Sequence, residues 1–227
     1  MGNIETNSAA SAQRSMLIPE EKSALGGWSK RVVDSIVAAA ALVAFLPLFI
    51  LLCIAIKLSS PGPVLYGHER IGLRGKPFRC WKLRTMVCDG EAVLKAHLAS
   101  DPNAQREWIE TRKLTNDPRV TPLGQVLRTY SVDELPQLIN VLFGEMSFVG
   151  PRPVVEEELE RYGPYARAYL SARPGITGLW QTSGRSDTSY EYRVALDERY
   201  VREWSFTADV RILLRTVPVV LGARGSY

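Results

Sequence analysis

Asp133 and Glu134 stand side by side in "SVDELPQLINVLFGEMSFVGPRP", residues 131–153, directly ahead of a proline and an apolar run. Two chemistries compete for them. Ser131 and Glu134 match the Ser-x-x-Glu capping box, in which both side chains only satisfy backbone donors at a helix start. Pro136 weighs against that reading: a helix running from Val132 would place a proline where a donor is needed, and Leu135 is pushed off helical angles. A helix that begins at Pro136 fits better. It leaves the carboxylates on the turn at its N-terminus, where free N–H groups and the helix dipole favour anions such as phosphate. A carboxylate held there could attack a phosphoryl group as a covalent nucleophile if a metal or arginines neutralised the approaching charge. Its neighbour could hold Mg²⁺.

Arginines are plentiful around this pair: Arg84 in "KLRTM", Arg128 in "VLRTY", Arg152 in "GPRP", and Arg173 and Arg185 flanking "PGITGLWQTSG". Their guanidinium forks suit phosphate oxygens, although an isolated arginine is more often solvated surface charge. The rigid turns "VGPRP" and "RPGITG" would hold a polar side chain at a fixed place, as a binding site requires. The net charge of +4 and pI near 9.0 suit anionic partners without choosing among nucleic acid, phospholipid and phosphorylated substrates. Cys53, Cys80 and Cys88 match no zinc or redox spacing and read as reduced thiols. With only His68 and His97 besides, Mg²⁺ on carboxylates and phosphates is a better expectation than zinc.

The elements that must position these groups begin with a membrane segment. Ser35 to Ile56 carries no charged side chain, and about 22 residues give roughly 33 Å of helix, enough to cross a hydrocarbon core. A signal peptide fits less well, because the run is long, starts late and lacks a small-x-small cleavage site. A buried soluble helix would need most of a modest domain around it. Pro47 near the middle predicts a kink. Lys30 and Arg31 precede the run while Lys57, Arg70, Arg74, Lys76 and Arg79 follow it, so the positive-inside rule puts both ends in the cytoplasm. Together these predict a re-entrant, monotopic helix that enters, bends and returns.

The expected organisation is a flexible tail over 1–27, the membrane helix over 28–58, and one cytosolic α/β, mainly helical, domain over 59–227. Within the domain a β-hairpin turns at Leu73 to Lys76. Helices follow at 91–99, 103–115 and 124–129, and again through "VVEEELERYGPYARAYLSA" with a break at Gly163 and Pro164. The segment "RPGITGLWQTSGRSD" reads as turns, and "YRVALDERYV" and "TADVRILLRTVPVVLG" as helices. Val210, Leu213, Leu214 and Val217, with Arg211 and Arg215 between them, suit a helix lying in the membrane interface as well as they suit ordinary packing.

The ordered series "KLRTM", "DPRVTPLG", "SVDELPQLINVLFGEMSFVGPRP" and "RPGITGLWQTSGR", from about Trp28 to the C-terminus, resembles the bacterial sugar transferases, the monotopic phosphoglycosyl transferases. It is most similar to short members that start exopolysaccharide synthesis, the undecaprenyl-phosphate galactose phosphotransferases. The resemblance implies transfer of a hexose-1-phosphate, galactose before glucose, from a UDP-sugar to undecaprenyl phosphate, with release of UMP and a need for Mg²⁺. It also implies a re-entrant helix in the bacterial inner membrane with catalysis on the cytosolic face, among phospholipids and compatibly with a homo-oligomer. Carried over by position, Asp133 is the nucleophile and Glu134 the Mg²⁺ ligand. Lys82, Arg84, Arg152 and Arg185 bind phosphate, and Gly178 and Gln181 belong to a nucleotide or sugar pocket.

Two other readings of the same residues stay open. A membrane-bound aspartyl-phosphate phosphatase would share the carboxylates and arginines and let water take the intermediate. A non-catalytic membrane scaffold would tolerate loss of Asp133. Nucleic-acid binding is not expected, since no recognised binding motif accompanies the scattered basic residues.

Overall fold

The computed structural model describes residues 23–111, 114–183 and 189–222. The apolar segment forms α1, Gly27–Ser59, one helix that continues through Pro47. Its 33 residues correspond to roughly 50 Å. It is the one described helix long and apolar enough to cross a membrane. Val43, Phe45, Leu46, Ile50, Leu51 and Ile54 lie exposed along it, an apolar face that no soluble helix leaves to water, and the protein is membrane-bound. The helix meets the rest of the chain at both ends and, between them, along Leu42 to Phe49, which face Leu135 to Ile139. Lys30, Asp34 and Ala38, four residues apart, form a buried stripe at its start, and Ile56 is buried at its end.

Residues 1–22 of the expected tail lie outside the described residues. The remainder corrects that expectation at Leu25, whose amide donates to Ser171 O (3.0 Å) and whose side chain packs beside Val149, Tyr200 and Ile212.

The predicted hairpin is present: β1, Leu65–Ile71, pairs antiparallel with β2, Pro77–Leu83, around a 3₁₀ turn at Leu73–Gly75. Then come α2, Gly90–Ser100, α3, Pro102–Thr111, and α4, Pro122–Thr129. A 3₁₀ turn at Val132–Glu134 leads into α5, Gln137–Phe143. Apolar side chains on α1, β2 and α5 share one core around Ala38, Phe78, Cys80, Val141 and Met146. All three cysteines are unpaired among the described residues.

Two strands were not foreseen. β3, Ser147–Val149, pairs in parallel with β4, Gly175–Thr177, across a crossover that holds α6, Glu156–Glu160, and α7, Ala166–Leu170, with a 3₁₀ turn at Gly163–Tyr165 where the break was expected. Gly150 N donates to Thr177 O and Gly175 N to Pro151 O, so "VGPRP" and "RPGITG" are the two halves of one backbone contact. A Cβ at Gly178 would overlap the Gly150 carbonyl, which is why glycine stands there. The chain closes with α8, Tyr190–Arg202, and α9, Phe206–Leu221, whose Val210, Leu213, Leu214 and Val217 are exposed. The domain is mainly helical, as the sequence led one to expect, and adds to the expected hairpin a second small sheet.

Candidate active site

The catalytic candidates sit where β2 and the turn before α5 meet. α5 is bolted to β2 through Asn140, fully buried, whose Oδ1 accepts from Trp81 N (3.1 Å) and whose Nδ2 donates to Arg79 O (2.7 Å). That fixes the next strand residue, Lys82, against the turn that carries Asp133 and Glu134. Ser131 enters this turn with φ at 55°, a left-handed value that a non-glycine residue adopts at a cost. Its side chain makes no cap bond, so the capping box is not formed. Leu138 N and Ile139 N donate to Leu135 O and Pro136 O, so two amides that the sequence left free for an anion at the helix start are already used.

Lys82 Nζ lies 2.6 Å from Glu134 Oε1 and 3.7 Å from Asp133 Oδ2. Asp133 is 7% exposed. Burial raises its pKa, Glu134 adds to the rise, and Lys82 and Arg128 oppose it without cancelling it. Burial pulls Lys82 down, but Glu134 and Asp133 outweigh it and leave the ammonium firmly charged. The arrangement is a half-buried carboxylate pair with one cation bound to the wrong partner: Lys82 bonds Glu134 and leaves Asp133 under-compensated. An under-compensated carboxylate is a better nucleophile than a saturated one.

Arg128 is the cation that the sequence named among its neighbours but did not carry into the site. Thr121 caps α4 by accepting from Gly124 N (2.9 Å), and a Cβ at Gly124 would strike the Thr85 carbonyl, so α4 lies flush on the exit of β2. Arg128 Nε then donates to Thr85 Oγ1 (2.9 Å), with its charge acting on Asp133. Its position five residues ahead of Asp133 was the available signal. The "DPRV" loop supports it: Arg119 grips Asp117 at 2.8 and 2.6 Å, and Asp117 lies in electrostatic range of Arg128.

Arg84 has a different occupation from the one expected. Its guanidinium is buried and donates to Ser60 O (2.7 Å), Pro61 O (2.8 Å) and Ile56 O (3.4 Å), closing the C-terminal end of α1. With its donors committed to carbonyls it is a structural clamp, not a phosphate ligand, and the assignment is corrected accordingly. Arg173 similarly donates to Gly144 O (2.9 Å) at the end of α5. Arg152 is exposed, over the ring of Trp180 at 5.6 Å, and its charge reaches Lys82. Gly178 lies against the Gly150 carbonyl and Gln181 Oε1, and that oxygen is buried without a partner among the described residues. Arg185 lies outside the described residues.

Among the described residues no three His, Cys, Asp or Glu side chains converge as a metal cage. Asp133 and Glu134 supply two hard oxygen donors with one of them poorly compensated. That fits Mg²⁺, which is commonly held by one or two carboxylates with substrate phosphates and waters completing its shell. Next to the pair, Leu42, Phe45, Leu46 and Phe49 of α1 face Leu135, Pro136 and Ile139 across an apolar groove of about 280 Å³. The segment that follows the carboxylate turn directly in sequence therefore faces the membrane helix.

Residues 25–223 match the model of the family described as bacterial sugar transferase. The chain belongs to the bacterial sugar transferases and is an enzyme of the phosphoglycosyl transferase type. It is 53% identical over 220 residues to the exopolysaccharide production protein ExoY of Sinorhizobium fredii, covering 96% of this chain and 97% of that one. It is 48% identical to the undecaprenyl-phosphate galactose phosphotransferase of Salmonella typhimurium over 87% of this chain and 41% of that one. With the UDP-glucose:undecaprenyl-phosphate glucose-1-phosphate transferase of Caulobacter vibrioides it shares 43% identity, over 87% of this chain and 72% of the relative.

Proposed function

We propose that the protein transfers hexose-1-phosphate from a UDP-sugar to undecaprenyl phosphate and so starts exopolysaccharide synthesis. The observation that carries this reading is the junction just described: a buried, under-compensated Asp133 beside Lys82, Glu134 and Arg128, followed at once by Leu135 and Pro136, which line an apolar groove with the membrane helix. One side suits a soluble anionic donor and the other a lipid acceptor.

An Asp133 carboxylate oxygen attacks the phosphorus that bears the sugar. An oxygen–phosphorus bond forms to the protein, the bond to the bridging oxygen breaks, and UMP leaves with that electron pair. An oxygen of the lipid phosphate then attacks the same phosphorus, and the Asp133 carboxylate departs to give the lipid-linked diphosphate sugar. Lys82 and Arg128 draw the anionic donor onto a site that holds negative charge and stabilise the charge that develops in both displacements. Mg²⁺, when bound, would add Lewis-acid neutralisation of the phosphate oxygens between Asp133 and Glu134. Nothing in this sequence of steps requires water at phosphorus, and the apolar groove has no role in a phosphatase.

The topology belongs to the same proposal. α1 is re-entrant, with both ends on the cytosolic face of the inner membrane. Support comes from where its ends are tied. Lys30 pairs with Asp209 of α9 and Arg31 donates to Val141 O and Leu142 O, both at 2.6 Å, while Arg84 holds the far end. A helix fastened at both ends to one domain returns to that domain's side, and the flanking positive charge agrees. Galactose is the preferred sugar on the name of the Salmonella relative; the name of the Caulobacter relative favours glucose.

The test is UMP release by the purified protein with undecaprenyl phosphate, Mg²⁺ and UDP-galactose or UDP-glucose. Lipid-dependent release that disappears in Asp133→Asn is expected. Release without lipid at the same rate, or none from either donor, contradicts the reading.

A further inference from the structure

A second cavity, of about 110 Å³, lies away from the apolar groove, beneath Arg152, Arg161 and Arg193. Arg152 and Arg193 lie over the ring of Trp180 at 5.6 and 4.9 Å, and Arg161 over that of Tyr190 at 3.9 Å. The cavity wall includes Asp197, which is 2% exposed. Its Oδ2 accepts from Tyr162 OH at 2.9 Å. Its Oδ1 has no hydrogen-bond partner among the described residues, and the nearby Arg152 amide favours the charged form without reaching bonding geometry. A buried carboxylate oxygen in this state calls for a donor.

The mouth and the wall ask for different things. Arg152 and Arg161 at the mouth, with the carboxylate of Glu158 beside them, suit the phosphate of a nucleotide, whereas the orphan oxygen calls for an N–H or O–H. A molecule with a hydrogen-bond donor at one end and phosphates at the other answers both. Arg152 acts electrostatically on Asp197 and on Lys82, so this cavity adjoins the catalytic carboxylates through a single residue.

We infer that this cavity receives the pyrimidine end of the donor nucleotide, with Asp197 Oδ1 accepting the imide N–H of uracil and Arg161 reaching the phosphates. The inference rests on the UDP-sugar reading above and assigns that donor a subsite. Above about pH 7, where Asp197 is ionised, it then selects uracil over cytosine, because the corresponding ring nitrogen of cytosine is an acceptor and would face the carboxylate lone pairs; binding is therefore measured at about pH 8.

The experiment is equilibrium binding of UMP, CMP and uridine to the full-length protein in detergent, without lipid or turnover. Wild type should prefer UMP to CMP by about tenfold or more. Asp197→Asn, whose amide can donate as well as accept, should narrow that preference to within about threefold. Arg161→Gln should weaken UMP about tenfold while leaving uridine untouched, and it decides the matter if the Asp197 variant fails to fold. Unchanged UMP and CMP affinities in these variants would overturn the inference. So would intact UMP binding with altered galactose-to-glucose selectivity, which would make the cavity the sugar subsite. Either result leaves the transferase reading standing, whereas loss of lipid-dependent UMP release in wild type removes that reading whatever the binding shows.

Discussion

Two lysine–carboxylate clusters lie in this protein, and they are built to opposite ends. In the first, Asp209 accepts from Tyr200 OH at 2.8 Å on one oxygen and from Trp204 Nε1 and Lys30 on the other, so every lone pair direction of consequence is used. Both partners are nearly buried, at 8% and 10% side-chain exposure. In the second, Asp133 is as buried as Asp209, but its nearest cation is 3.7 Å away and bonded more closely to Glu134. Burial without saturation pushes the Asp133 pKa up; Lys82 remains 36% exposed, open to an incoming phosphate. The same residue types therefore give a fastener where they are fully paired and, on the proposal above, a reactive group where they are not. The fastener holds α1 to α9, and the reactive pair stands beside the groove that α1 lines.

The sharpest way to break this contrast is to remove one carboxylate from each cluster. Asp133→Asn should cost at least about a thousandfold in turnover and leave the melting temperature equal or raised, because an under-compensated buried charge is gone. Asp209→Ala should do the reverse, costing about 3–5 kcal/mol of stability by stranding Lys30, with turnover per folded molecule retained. Equal effects of the two on both readouts would erase the distinction.

Asp197 offers a third case, with pKa pushed up by burial from 3.8 to about 7. Below about pH 4 both folded and unfolded chains hold its proton, and between about 4 and about 7 only the folded chain does. Its contribution to stability is thus present at low pH and lost as pH rises through that window. Asp197→Asn should flatten the slope there by up to about 4 kcal/mol, read from melting curves across pH; an unaltered slope would show that burial does not raise the Asp197 pKa.

Lys82→Met should lower kcat/KM by about ten- to a hundredfold. It should also move the acid limb of the pH profile upward, since Asp133 must be ionised to attack and loses the cation that opposes its raised pKa. A limb that stays put would detach Lys82 from Asp133. The smallest effects separate two arginines that look alike in sequence. Arg84→Gln should cost about 2 kcal/mol of stability with KM unchanged, and Arg128→Gln about tenfold in kcat/KM with stability unchanged.

That pair of arginines also marks what the sequence could convey. Asp133 and Glu134 were legible as a pair ahead of α5, and the capping box is indeed not formed, but the steric reason is corrected: Leu135 before Pro136 holds helical angles (φ −50°, ψ −38°), and the 3₁₀ turn from Val132 runs straight into α5. The membrane helix and hairpin were legible because composition and alternation act over many residues. Arg84 was misread because a guanidinium bonding three carbonyls and one awaiting phosphate share a sequence signature; only the end of α1 folding back beside it decides. β3 and β4 span three residues each and owe their pairing to glycines far apart in the chain, below the reach of any periodicity. Asp197, one acid among the charges of "YRVALDERYV", gives no hint that it alone of them is buried with an unpaired oxygen.

The central claim, that an under-compensated Asp133 becomes covalently linked to the sugar phosphate, is tested most directly by intact-protein mass spectrometry after mixing the enzyme with UDP-galactose, UDP-glucose and Mg²⁺ in the absence of lipid. The account predicts an added mass of one hexose phosphate, mapped to Asp133, discharged by undecaprenyl phosphate and missing in Asp133→Asn. An adduct that persists in that variant, or lipid-dependent turnover with no adduct at any time, would contradict it.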